Sequence, residues 1–368
     1  TRVVNVVTDS NIGGAGLVLI NYLKAANRRD FDHTVIVPSG SMLLPRLNAL
    51  GVRAVEMPGI AERSFAPKQT RAFLEEFRAL RPDLVHTHAS LSARVAARVY
   101  GKCGIIYTRH CAYELTRRQT SFPLRQIAGF VNNRLADRII AVSPAARENL
   151  ADTGANPARI VTLLNGVEPV RVLSDAEKRA ARVKLGLRED EFVCAIIARL
   201  EDVKGHRYVL EAARELAALP LRIVVAGTGS REAELRELAR DLPNVLFTGF
   251  LSDIAELENV MDLQLNASYG TETSSLSLLE GMSLGVPAVV SDFGGNPCLI
   301  TDGENGLVVP KRDARALAEA VRRVYGDRAL YGEMSRRARE TYEARFTARI
   351  LAENIENVYR SVCNEKKG

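Results

Sequence analysis

A chain of 368 residues, 46% hydrophobic and 26% charged, has the composition of ordinary globular domains, and at roughly 150 residues per domain it should fold as two. Its longest apolar runs are strand-length, short of the roughly 18 residues that a membrane-spanning helix needs. Its five cysteines (Cys103, Cys111, Cys194, Cys298 and Cys363) are scattered and form no C-x-x-C, which argues against a disulfide frame or zinc site and points to reduced thiols in a cytosolic protein.

The net charge of +6 is uneven. Residues 1–166 carry 22 Lys+Arg against 12 Asp+Glu, and the remainder 28 against 32. The first half should therefore favour an anionic surface or ligand, and the second should not.

From the amino terminus, β-branched runs alternate with amphipathic stretches. "VVNVV", "HTVIV", "RAVEM", "LVHTH", "GIIYT", "RIIAV" and "RIVTLL" read as strands, with helices such as "QTRAFLEEFRAL" and "LSARVAARVYG" between them. That alternation builds β-α-β units and a parallel sheet covered on both faces. "DFD", Asp30 to Asp32, falls between the first helix and the second strand, at the wrong end of such a sheet for a ligand, and reads as a solvated turn. His86 and His88 share one strand face. Zinc would need a third ligand that is not evident, so packing or acceptor contacts are favoured. His110 in "YTRHC" follows a strand and should sit at the ligand-binding end. Residues 109–134 then set Arg109, Arg117, Arg118, Arg125 and Arg134 against one acid, Glu114, with Phe, Leu, Ile and Val around Arg125. That pattern suits an interfacial helix on anionic lipid. An amphipathic helix packed on the sheet is the alternative.

At "NGVEPVRVLSDAEKRA" the rhythm breaks: Asn165-Gly166 signals a turn, Pro169 stops regular structure, and Ser174 reads as a helix N-cap. The boundary falls near residues 167–173, giving a first domain over 1–168 and a second over 169–346. The rhythm restarts with "EFVCAIIARL", "LRIVVAG", "NVLFTG", "LQLNAS", "PAVVS" and "GLVVP" as strands. Helices close the chain, the last of them (about 347–368) a candidate to pack back on the first domain. Two doubly wound α/β domains facing each other across a cleft are expected, with ligands at the carboxyl ends of the strands.

The chemistry concentrates in "GTETSSLSLLEGMS". Over residues 263–291 Glu272 and Glu280 are the only charged residues. Glu272 should lie in the loop leaving a strand, and Glu280 two turns into a helix capped by Thr273 or Ser274. A buried carboxylate needs a partner, and sugar hydroxyls are good ones. The backbone N–H groups of Ser274, Ser275 and Leu276 at the helix start suit phosphate. Arg199 and Lys204 in "ARLEDVKGH" add cations for a diphosphate. "VAGTGS" places Gly227 and Gly229 where a ligand can approach the backbone, but position 232 is Glu, so G-x-G-x-x-G is not met. No P-loop motif occurs either.

"ARLEDVKG", "VAGTGS" and "ETSSLSLLEGMSLGVPAVVS", in that order, with "NIGGAG" and "LLNGVE" before them, resemble the family 4 (group 1) retaining glycosyltransferases of the GT-B fold, over essentially the whole chain. Glu272 and Glu280 match that family's E-x7-E motif. The resemblance implies that Arg199 and Lys204 hold the diphosphate of a nucleotide sugar, first among candidates a UDP-sugar. It implies further that Glu280 holds the ribose hydroxyls, that Glu272 contacts the transferred sugar, and that Gly13 and Gly14 let the first loop approach the donor. His110 would make a polar contact to the sugar that stabilises the transition state.

The reaction implied is transfer to an acceptor hydroxyl with retention, front-face, in polysaccharide or glycolipid synthesis. No cofactor and no metal are expected, since Arg199, Lys204 and the helix start can stabilise the leaving diphosphate. The acceptor expected is a glycan or lipid-linked glycan at the inner membrane face. No nucleic acid partner is expected. Where the family's first glutamate commonly opens Glu-Gly-Phe-Gly, this chain has "ETSS", which leaves the sugar preference open. Two alternatives stay open: a GT-B sugar-nucleotide epimerase, which would need further acid/base carboxylates, and a non-catalytic sugar-nucleotide-binding partner.

Overall fold

The computed structural model describes residues 1–11, 13–61 and 64–367. The chain forms two compact units, Thr1–Val167 joined by the segment from Ala348 onward, and Glu168–Thr347.

The first unit holds a seven-stranded sheet of β1 (Arg2–Val7), β2 (Asp32–Pro38), β3 (Arg53–Met57), β4 (Leu84–His88), β5 (Gly104–Arg109), β6 (Arg138–Ala141) and β7 (Ile160–Thr162). Their order is β3-β2-β1-β4-β5-β6-β7 and every pairing is parallel. Strands such as "RVVNVV" and "GIIYTR" are apolar on both faces because helices cover both. The strand order reverses between β1 and β4, the place where open sheets of this kind receive ligands. The Ala348–Lys367 helix belongs to this unit. Its Tyr359 is fully buried, donates or accepts at His86 Nδ1 (2.7 Å), and meets Tyr22 and Phe31 edge-on. Glu356 on the same helix accepts the Asn27 N–H at 2.7 Å.

The second unit opens on the Asp175–Lys184 helix, which Ser174 and Glu177 start with a reciprocal capping box. Its sheet holds β8 (Phe192–Ile197), β9 (Leu221–Ala226), β10 (Val245–Gly249), β11 (Leu263–Asn266), β12 (Ala288–Ser291) and β13 (Gly306–Val309). The order is β10-β9-β8-β11-β12-β13, again parallel, reversing between β8 and β11. Ile196, Leu210, Val225, Val289 and Val321 lie in its main core. The helix after β11 differs from expectation. It spans Leu276–Ser283 with Ser275 as N-cap, not Thr273 or Ser274. The cause is close packing: a Cβ on Gly294 would lie 2.2 Å from the Glu272 carbonyl oxygen, and one on Gly295 1.3 Å from that of Thr273. Those carbonyls are pressed against a glycine loop and stay outside the helix.

Candidate active site

Glu272 sits at the exit of β11, where the chain gathers donors around it. Its Oε2 accepts from Lys204 Nζ (3.0 Å), Ser268 Oγ (2.9 Å) and Asn266 Nδ2 (3.2 Å), and its Oε1 from the Thr273 N–H (3.2 Å). Lys204 also donates to the Thr271 carbonyl at 3.0 Å. Lys204 arrives from the loop after β8 because Gly205, at φ +72°, lets the two loops touch: a Cβ there would lie 2.0 Å from the Ala267 carbonyl. The Lys204 and Glu272 side chains are only 17% and 9% exposed. Burial pushes the Glu272 pKa up, but the Lys204 charge and the hydrogen bonds from Lys204, Asn266 and Ser268 outweigh it and hold the carboxyl below its usual range. Glu272 is therefore an ionised, rigidly held acceptor. Arg199 is exposed just past the end of β8.

Glu280 lies on the Leu276–Ser283 helix, half-buried. Its partner is a second acid that the motif reading missed: Glu258, on the Ala255–Val260 helix, 1% exposed and hydrogen-bonded to Glu280. Burial, then the Glu280 charge, hold the Glu258 carboxyl well above the usual range. Two carboxyls this close cannot both ionise. The more deeply buried Glu258 keeps the proton and donates it. The helix itself is locked to β11 by a notch at Gly281, where a Cβ would lie 2.4 Å from the Gln264 amide. Gln264 donates to the carbonyls of Leu278 and Val286.

Gly227 and Gly229 prove to face the chain itself. Gly227 has φ +135°, and a Cβ there would lie 2.1 Å from the Ala198 carbonyl; one on Gly229 would lie 2.5 Å from that of Leu200. The Leu200 N–H donates to Thr228, and the Arg231 N–H to Leu200. The missing side chains also admit the loop that carries Arg199 and so fix its backbone. Beyond β10, Phe250 is 74% exposed beside a hollow of about 300 Å³ lined in part by Leu251, Ser252 and Asp253.

In the first unit, His110 follows β5. Its Nε2 is 2.7 Å from His88 Nδ1, and the two rings stack at 5.0 Å. His86 stacks on His88 at 4.5 Å and spends both nitrogens on protein groups, Tyr359 Oη (2.7 Å) and Thr108 Oγ1 (2.6 Å). Burial lowers His86 to about 3, His110 to about 4 and His88 well below the usual value. All three are neutral at pH 7, so one of His88 and His110 donates to the other. Gly13 is the N-cap of the Gly14–Ala25 helix. A Cβ at Gly13 would meet the Asp9 carboxylate at 2.4 Å, whereas one at Gly14 would meet nothing within 4 Å. Asp30 and Asp32 lie at the amino-terminal end of β2, with Asp30 facing Arg360 and Asn27. Among the described residues no group of three His, Cys, Asp or Glu side chains gathers to hold a metal ion.

The Leu124–Leu135 helix buries only Gly129, which fits against the Gly154 backbone. Leu124, Ile127 and Phe130 are exposed, Phe130 at 70%, and Phe122 just before them at 81%. Among the described residues no helix is long and apolar enough to cross a membrane.

The family model "Glycosyltransferase Family 4" matches residues 12–171, and "Glycosyl transferases group 1" matches residues 191–327. The chain is 29% identical over 295 residues to a putative glycosyltransferase, EpsD, of Bacillus subtilis, covering 75% of this chain and 76% of that protein. It is 25% identical over 365 residues to the UDP-Gal:alpha-D-GlcNAc-diphosphoundecaprenol alpha-1,3-galactosyltransferase of Escherichia coli, covering 95% and 94%. The fold is similar to that of Anabaena HepE, solved in complex with UDP, with a TM-score of 0.83 over 98% of this chain and 100% of that one at 21% identity.

Proposed function

The chain belongs to the family 4 (group 1) glycosyltransferases of the GT-B fold and is a hexosyltransferase, and we propose that it moves a hexose from a UDP-sugar, with retention and without a metal, to a hydroxyl of a lipid-linked glycan in cell-surface polysaccharide or glycolipid synthesis. The observation that carries this reading is the Glu272 cluster: an ionised carboxylate and a largely enclosed ammonium, Lys204, pair at the carboxyl end of β11. Lys204 and Arg199 are the cations for the diphosphate, and of the amides expected to join them, Ser275 and Leu276 stand at the observed helix start and Ser274 just before it. When a diphosphate draws on Lys204, Glu272 keeps its donors Asn266, Ser268 and the Thr273 N–H. It stays ionised and accepts from the transferred sugar's hydroxyls. Glu280 accepts from the ribose, and Phe250 offers a stacking face for the base.

In the transfer itself, the sugar's bond to the phosphate oxygen breaks as its bond to the acceptor oxygen forms. The acceptor's proton passes to the departing phosphate, and Lys204 and Arg199 stabilise the charge that develops there. His110 is the polar contact to the reacting sugar. Being neutral, it offers hydrogen bonding rather than a cation. An epimerase would need one more carboxylate within reach of the sugar. Glu258, at 1% exposure, is too deeply buried to supply it.

UDP is supported by the relative named for UDP-Gal and by the UDP-bound neighbour. A lipid-linked acceptor is supported by the diphosphoundecaprenol in that relative's name. The exposed Phe122, Leu124, Ile127 and Phe130 among arginines favour peripheral docking of a cytoplasmic enzyme on anionic lipid. Each basic residue near such a surface contributes about 1 kcal/mol.

A thermal-shift panel of UDP-, GDP- and ADP-sugars tests the donor. Ligand at 100 times its Kd adds about 2.7 kcal/mol to stability, so a shift with UDP-sugars alone is expected, and no shift with any would overturn the reading. Donor hydrolysis or transfer should survive EDTA. Loss under chelation with recovery on Mg²⁺ or Mn²⁺ would contradict the metal-free route. Co-sedimentation with anionic vesicles should be strong at low salt, weak at high salt, and lost in Phe122→Ser/Phe130→Ser.

A further inference from the structure

We propose that Glu258 is a positioning residue for the nucleotide: its carboxyl donates to the Glu280 carboxylate from within the protein and holds that group as an acceptor for the ribose hydroxyls. This rests on the reading of Glu280 as the ribose contact.

The geometry carries the inference. Leu257, Glu258, Asn259 and Val260 are all buried, and Leu257 and Val260 pack with Val193, Val224, Met261 and Val286. Glu258 lies in this apolar layer, and its Oε1 is enclosed with no hydrogen-bond partner. A carboxylate in such a place would cost several kcal/mol.

Among the described residues no cation answers it. The acids nearest it electrostatically are Glu280, from the adjoining helix, and Asp253, just before its own helix. From the Asp175–Lys184 helix packed against it, Arg182 is engaged with the Val260 carbonyl and Asp262, and Lys184 with Glu256. The neighbouring Asn259 bonds Leu173, Arg171 and Ala255. Among the described residues the Glu258 carboxyl meets Glu280 in a side-chain hydrogen bond, and a bond between two carboxyls requires a proton.

Two consequences follow for the ligand. The O–H from Glu258 bonds the Glu280 carboxylate from the protein side and fixes its plane for the ribose hydroxyls. The pair also carries one negative charge instead of two, which lessens repulsion of a ligand that is itself a diphosphate.

The test uses the full chain with UDP as the titrated probe, by calorimetry from pH 7 to 10. Glu258→Met, of similar length but without a donor, should bind UDP about tenfold more weakly at pH 7. Glu258→Gln keeps a neutral N–H donor and should recover most of that loss. Wild-type affinity should also fall as pH rises and the pair loses its proton, and Glu258→Gln should lose less. The comparison cancels the titration of UDP itself. A packing role alone would favour Met over Gln and give parallel pH profiles, and either result overturns the proposal. Should Glu258→Met fail to fold, the two profiles still decide. Glu280→Ala separates the readings. If it binds UDP like wild type, the ribose role of Glu280 falls and this proposal with it. If it binds weakly while Glu258→Met binds normally, only the positioning role falls.

Discussion

Glu272 and Glu280 stand eight residues apart in one motif, yet the fold gives them opposite surroundings. Glu272 faces a largely enclosed ammonium and three neutral donors; Glu280 is backed by another acid. The first arrangement makes a permanent negative charge whose position depends on Lys204. The second makes a charge whose position depends on a proton. Under the proposed function, identical side chains thus serve as a fixed electrostatic element for the reacting sugar and a pH-sensitive clamp for the nucleotide. The difference lies in what β8 and the Ala255–Val260 helix bring to each.

Removing Lys204 should break the contrast most severely. Lys204→Met leaves Glu272 buried without its counter-ion and removes a cation from the diphosphate, and turnover should fall about 10²–10³-fold. The pH profiles come next. The Glu272 pKa is depressed, so its charge is present at neutral pH and is lost only as pH falls through that depressed value. The Glu258 pKa is raised, so the proton it shares is present at neutral pH and is lost as pH rises. Turnover should therefore fail on the acid side and UDP affinity on the alkaline side. In Lys204→Met the acid limb should move to higher pH. A smaller effect is expected from Ser268→Ala, which removes one neutral donor from Glu272. It should lower turnover several-fold, matching about 1 kcal/mol, with UDP affinity unchanged. Equal losses of affinity and turnover in that variant would blur the distinction.

Much of this site is legible in the sequence because its parts follow strands. Runs such as "EFVCAIIAR" and "DLQLNAS" identify β8 and β11, and position alone then puts Arg199 and Glu272 at carboxyl ends. Lys204 is legible as a cation just past the end of β8, but not as the partner of Glu272. That pairing depends on Gly205 meeting Ala267, a contact between segments 62 residues apart in sequence. The helix start is misplaced by one or two residues because Thr273 is a good cap in isolation, and Gly294 and Gly295 intervene only in three dimensions.

Glu258 carries a local signal in the sequence. Ile254, Leu257, Glu258 and Met261 occupy the i, i+3, i+4, i+7 stripe of an amphipathic helix, and an acid on that stripe is a buried acid. Gly227 and Gly229 carry a requirement that the sequence does not display: the chain's own backbone leaves no room for a Cβ at either position.

The most direct test compares Glu272→Ala with Glu280→Ala in one preparation, measuring UDP affinity by calorimetry and turnover at saturating donor. The account predicts that Glu280→Ala weakens UDP binding while Glu272→Ala mainly lowers turnover with UDP affinity little changed. Equal losses of UDP affinity in both variants, with turnover unchanged in each, would contradict it.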